Sequence, residues 1–313
     1  MRGAGLVAGV VVCGASMASA CGGSDGSEAA DATSPPIDAR AMGGDGGEPG
    51  GDAGPSGADA ATDAGPDELP DATASDAGAT PSSIREARYL VAVRTPDWDT
   101  AQGTLARYRR DVGGAWTRDA DDVPIVLGRN GLGWGRGLHG DGAVAGMDGP
   151  VKMEGDRRSP AGAFWLDGVY GYASDAPEGT RTPYMAMTPT LQCIEDVDSA
   201  YYNRVVDRAL VMPDWDSTDL LLRMDGLYEL IVFVRHNTDP MPVPGAGSCI
   251  LLHVASIGTD GAVAPTAGCT SMAFPDLQAI VRAMEPEANL LVQLPDDAYA
   301  ELTDAWDLPA AGP

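Results

Sequence analysis

The chain of 313 residues is poor in the side chains that carry most catalytic and ligand chemistry. It has three histidines, at 139, 236 and 253, and five cysteines. No close Cys or His pairs fall at zinc-site spacing, so a zinc centre built from Cys193, Cys249 and a histidine is set aside, and no metal is expected. Basic side chains are scarce, 20 against 46 acidic, and the formal charge is -26. No Lys/Arg-dense stretch relieves this balance. Phosphate backbones are repelled, which excludes nucleic acid as a partner, and the acidic surface serves solubility. The run Gly131-Leu132-Gly133-Trp134-Gly135 lacks the following Lys-Ser/Thr and the helix pattern of a nucleotide loop. No aromatic residue precedes Tyr89.

What is present divides the chain into three segments. Residues 1–21 read as an export signal: Arg2, then the apolar run AGLVAGVVV at 4–12, too short to span a bilayer, then small residues up to Ala18-Ser19-Ala20-Cys21. Cleavage after Ala20 gives a free secreted protein. The same residues resemble a bacterial lipobox, with Ala18 where Leu is preferred, which makes Cys21 the lipidated N-terminus of a membrane-anchored, exported envelope protein. Residues 22–83 contain 13 of the 46 acidic side chains and a single basic one, Arg40; 33 acidic and 18 basic remain in 84–313. Built mainly from Asp, Gly, Ala, Pro, Ser and Thr, this segment has too little apolar surface to offset an ordering entropy of roughly 1–2 kcal/mol per residue, and is expected to be a disordered, extended tether. Its Gly-Asp clusters lack the regular ligand spacing of a calcium loop.

Residues 84–313 hold every Trp, Tyr and Phe. Strands are expected at 89–94 (YLVAVR), 123–127 (VPIVL), 227–235 (LYELIVFVR), 249–254 (CILLHV) and 289–294 (NLLVQL), from their β-branched and apolar runs. One helix is expected after Pro275, where Leu277, Ile280, Val281 and Met284 fall on one face and Pro286 ends the run. The fold class is mainly β with one or a few short helices.

The cysteines divide by setting. Once Cys21 is lipidated, three remain in the mature chain. Cys193 and Cys249 are the expected disulfide in an oxidising compartment, with two inert buried thiols as the alternative. Cys269 lies in the small-residue turn Pro265-Thr266-Ala267-Gly268-Cys269-Thr270 ahead of the helix. There a helix N-terminus would favour the thiolate, and the Gly268 and Cys269 amides are candidates for an oxyanion site. The bland reading is a structural cysteine in a turn. His253 ends an apolar strand, and the chain returns from it to Cys269 through a glycine-containing turn, so it is the expected base. His236 also ends a strand, and His139 reads as a loop residue. Arg129, Lys152, Arg157 and Arg158 are a basic set for substrate carboxylates or a solvated surface group.

These residues carry a family resemblance. His253 followed by Thr266-Ala267-Gly268-Cys269-Thr270 resembles the L,D-transpeptidase (YkuD-type) signature of a His, a spacer and Ser/Thr-His-Gly-Cys. Ser159-Pro160-Ala161-Gly162-Ala163-Phe164 is similar to the family's Thr-Pro-x-Gly-x-Phe element. GRNGLGWGRGLH, VKMEGDRRSPAGAF and YYNRVVD look like one bacterial branch, and the likeness covers roughly 88–295. The departure is Ala267, where the family usually has a second His; His236 is a candidate substitute. The resemblance implies a β-sandwich-like catalytic domain and a peptidoglycan L,D-transpeptidase without a cofactor. Its partners would be stem peptides. Cys269 is then the nucleophile, His253 the base, the Val254 carbonyl the group that orients His253, and Gly268 an oxyanion amide, with His236, Arg129 and Lys152 binding substrate. An L,D-carboxypeptidase, another cysteine amide hydrolase, and a non-catalytic peptidoglycan-binding lipoprotein of the same fold stay open.

Overall fold

The computed structural model describes residues 82–258 and 262–310. The export signal, Cys21 and the tether up to residue 81 lie outside the described residues. In chain order the elements begin with α1 (Ser82–Glu86), β1 (Tyr89–Thr95), β2 (Gln102–Arg109), β3 (Thr117–Arg118), β4 (Val123–Val126), β5 (Leu132–Trp134), β6 (Arg136–Gly137) and β7 (Gly140–Asp141). There follow β8 (Ser159–Gly171), β9 (Tyr184–Ala186), β10 (Leu191–Ile194), β11 (Val205–Asp207), β12 (Thr218–Leu220) and β13 (Leu230–Val234). The last are β14 (Leu251–Val254), β15 (Thr270–Met272), α2 (Phe274–Ala283), β16 (Asn289–Pro295) and α3 (Asp296–Leu302). Helix α1 takes in Ser82 and Ser83, two residues that composition assigned to the tether.

The protein is mainly β, and its large sheet closes on itself. The order β1-β16-β8-β13-β14-β15-β4-β2 returns to β1 because β2 pairs back along it from Tyr89↔Arg109 to Arg94↔Thr104. The expected mainly β class with a few short helices holds, and the main sheet is continuous and closed through β1 and β2, which leaves few unpaired strand edges. Several strands of this sheet are buried on both faces. In β16 every residue of NLLVQLP is buried, and it runs parallel to β1 in register Leu290↔Leu90 and Val292↔Ala92. Side chains such as Phe164, Leu252, Leu291 and Trp134 fill the main core, each contributing about 1.5–3 kcal/mol by burial. Helix α2 starts at Phe274 with Pro275 in its first turn and buries Leu277, Ile280 and Val281, the face that periodicity picks out.

The strand β8, 13 residues long, has no clear counterpart in the sequence pattern, because its Pro160, Gly162 and Gly168 look like punctuation. Gly162 is required there for another reason: a Cβ would lie 2.0 Å from the His139 ring. A second, smaller core gathers where the three-stranded sheet β11-β10-β12 meets β13 and β14, and holds Cys193, Cys249, Tyr228 and Leu251.

Candidate active site

Strands β14 and β15 run parallel as neighbours, with His253 opposite Ser271 and Leu252 opposite Thr270. Cys269 is the residue before β15, and the Leu251 amide reaches its sulfur. Strand alternation puts Leu251 and His253 on one face of β14. Cys269 packs against the small core that contains Leu251, Cys249 and Tyr228. Its Sγ donates to the Cys249 carbonyl at 3.6 Å. The carbonyl of Cys269 accepts from two hydroxyls, Thr266 Oγ1 at 2.6 Å and Ser159 Oγ at 2.9 Å. Ser159 Oγ in turn accepts from the Gly128 amide at 2.9 Å. The Ser-Pro-x-Gly-x-Phe element is thus tied directly to the thiol-bearing turn.

His253 Nδ1 lies 2.8 Å from the Val254 carbonyl oxygen. A carbonyl only accepts, so Nδ1 carries the proton and Nε2 is left as the basic nitrogen. The ring of Tyr228 meets the His253 ring edge-on at 5.5 Å, and its hydroxyl donates to Asp219. Asp219 is also paired with Arg223 at 3.2 Å. Tyr228 therefore touches the imidazole while sharing a core with the thiol.

The electrostatics correct the expectation of a stabilised thiolate. Strand β15 lies between Cys269 and the first residue of α2, so the thiol is not at the helix N-terminus. Burial pushes the Cys269 thiol up to about 12, helped by the charges of Asp219 and Glu195 and opposed by the Leu251 amide and Lys152. Burial pushes His253 down to about 4, against the Val254 hydrogen bond. At neutral pH the pair rests as a neutral thiol and a neutral imidazole. Glu195, the residue after β10, is pushed up to about 7 by burial and by Asp219 and Glu154. Patterning singles out none of Tyr228, Asp219 or Glu195, because their role depends on the β10–β12 pairing that sets Asp219 opposite Cys193.

The remaining sequence candidates fare differently. Cys193 and Cys249 are joined by a disulfide, with Cα atoms 5.9 Å apart, and Cys269 is free. The Gly268 amide is not open to an oxyanion as it stands, since it donates to Thr266 Oγ1 at 3.1 Å. Ala267 is exposed. His236 is 1% exposed, and both of its ring nitrogens are committed, Nδ1 to the Arg136 amide at 3.2 Å and Nε2 to the Ala246 carbonyl at 3.0 Å. It is a structural residue and not a substrate ligand, because no ring nitrogen is left. Lys152 is also buried, its ammonium donating to Met153 O at 2.5 Å and Asp156 Oδ1 at 2.6 Å, so it is a fixed charge near the thiol and no surface clamp. Arg129 is exposed, and its amide donates to the Thr266 carbonyl at 3.0 Å, next to the thiol turn. Arg157 is exposed, and Arg158 is held by Asp99 at 2.8 Å. His139, read as a loop residue, has its ring packed between Trp134, Phe164 and Trp306. Among the described residues no group of three or more His, Cys, Asp or Glu is placed to hold a metal ion. No described helix is long and apolar enough to cross a membrane.

No family model matches the chain, and no curated protein matches it. Among solved structures, the helical cell shape determining protein Pgp2 from Campylobacter jejuni aligns with a TM-score of 0.33 and 14% identity, over 66% of this chain and 47% of that one. The chain thus spans about half the length of that neighbour. At this TM-score the likeness carries no argument about activity.

Proposed function

We propose that the protein is an exported cysteine acyltransferase of the L,D-transpeptidase kind, acting on peptidoglycan stem peptides through Cys269 and His253. The observation that supports this most is the Nδ1–Val254 hydrogen bond, which leaves Nε2 unprotonated on a ring that meets Tyr228, a member of the core on which the thiol packs. Because both groups rest neutral, attack and proton transfer go together. The Cys269 sulfur bonds to the carbonyl carbon before the terminal D-Ala as His253 Nε2 takes the thiol proton. The C–N bond then breaks, and His253 returns that proton to the departing amine. A second stem's amine attacks the thioester, the C–S bond breaks, and the sulfur leaves with a proton. Water as acceptor gives a carboxypeptidase instead. Lipidation at Cys21 would hold the domain at a membrane surface, with a secreted soluble form as the alternative.

A second reading is a peptidoglycan-binding lipoprotein without turnover. It is favoured by the engaged Gly268 amide and by the alanine at 267. One experiment separates the two. The full chain is incubated with a carbapenem and weighed intact, and D-Ala release from defined tetrapeptides is measured alongside. The enzyme reading expects a single adduct and D-Ala release, both abolished in Cys269→Ala. Peptide binding with neither product supports the second reading.

A further inference from the structure

The cavity that the proposed reaction does not use lies between the end of β8 and the start of α2. It encloses about 200 Å³ and is lined by Tyr172, Tyr184 and Phe274, with Glu229, Asp175 and Gln278 among its polar groups. We propose that this pocket binds an organic ammonium group carried on a short aliphatic chain.

The aromatic wall is fixed. The Tyr184 hydroxyl donates to the Ala173 carbonyl at 2.6 Å, and the Tyr172 hydroxyl accepts from the Arg223 amide at 3.1 Å. Gly171 makes room for this arrangement, since a Cβ there would lie 2.6 Å from the Tyr184 hydroxyl and 3.0 Å from the Glu229 carbonyl oxygen. With the Tyr184 O–H donated to backbone and the Tyr172 oxygen accepting from backbone, the tyrosines offer a ligand chiefly ring surface. Ring faces attract cations through their quadrupole and accept alkyl carbons by burial.

The charged groups point the same way. No Lys or Arg lines the cavity. The guanidinium of Arg223, whose amide binds the Tyr172 hydroxyl, is already paired with Asp219 at 3.2 Å and with Asp225 at 2.6 Å. Asp175 Oδ2 accepts from the Ser174 hydroxyl at 2.9 Å, and the exposed Glu229 carboxylate has no hydrogen-bond or ion-pair partner among the described residues. An anion is repelled, and a neutral alkyl group leaves these carboxylates unused. A volume of about 200 Å³ lies below the roughly 300–1,000 Å³ of pockets for drug-sized ligands, so the space suits a small ligand such as a short-chain amine. Phe274 and Tyr184 pack on the main core and Tyr172 on the smaller one that Cys269 also touches, and Cys269 itself does not line the pocket.

The test is an NMR titration of the full chain with n-pentylammonium, n-pentanol and pentanoate, following amides of residues 172–184 and 274–278. Saturable shifts confined to these segments are expected with the amine. Binding should be at least about fivefold weaker for the alcohol, for Glu229→Gln and for Phe274→Ala, and unchanged for Cys269→Ala. Glu229 is exposed, so its substitution leaves the fold intact. Equal binding of alcohol or pentanoate, indifference to Glu229→Gln, or no saturable shift would overturn the proposal, whatever becomes of the thiol chemistry.

Discussion

The ring of Tyr228 sits edge-on to the ring of His253 with centroids 5.5 Å apart, while its hydroxyl is anchored on Asp219. The imidazole is therefore held twice, by an aromatic edge and by the Val254 carbonyl, and the aromatic hold reaches back to the Asp219–Arg223 pair.

Removing the ring should cost more function than removing the hydroxyl. Tyr228→Phe keeps the edge contact and loses one hydrogen bond, with an expected stability loss of about 1 kcal/mol and turnover within about threefold of the parent. Tyr228→Leu frees the imidazole and should lower turnover by about tenfold or more, with little change in KM. The two are compared by steady-state kinetics and chemical denaturation; identical kcat values for both would show that the ring does not position the base.

The neutral resting pair has a kinetic signature. With the thiol near 12, alkylation of Cys269 by iodoacetamide should rise about tenfold per pH unit from pH 7 to pH 10, with no plateau near neutrality. His253, near 4, is neutral throughout that range and adds no inflection. A plateau below pH 8, read by mass spectrometry of the modified peptide, would mean a thiolate–imidazolium pair instead.

Glu195 gives a pH-dependent stability. Its folded-state pKa of about 7 lies above the ordinary 4.5, so between these values the folded protein holds a proton that the unfolded chain has lost. Stability from this group falls as the pH rises from about 4.5 to 7. Glu195→Gln should be more stable than the parent at pH 8 by on the order of 1–3 kcal/mol and nearly equal to it at pH 4. The same substitution removes a negative charge near the sulfur, so Cys269 should alkylate faster at a given pH. Urea denaturation at the two pH values, paired with alkylation rates, checks both.

The disulfide ties the small sheet to the strand region that leads into His253. It spans 56 residues, and its removal in a Cys193→Ala/Cys249→Ala pair should cost about 2–4 kcal/mol. Because the Cys249 carbonyl accepts from the Cys269 thiol, turnover should fall even where the fold survives. Thermal unfolding and D-Ala release measured below the new melting temperature separate the two effects.

Sequence alone determined the elements whose signal is local. The helix after Pro275 follows from four apolar residues at helical spacing, and the strands expected at 89–94 and 289–294 from mainly apolar runs, since burial on both faces selects apolar residues at most positions. The sequence favours the pairing of Cys193 with Cys249 over two buried thiols, and the structure forms the bond. Tertiary structure alone decided the rest. Closure of the sheet through β1 and β2 depends on which of many compatible strand partners is chosen, and β8 is a strand because its neighbours pair with it despite its glycines and proline. It also committed His236 and Lys152 to buried hydrogen bonds and brought Tyr228, Asp219 and Glu195 to the thiol. Proton affinity and reach are properties of surroundings that distant segments supply, and no local spacing encodes them.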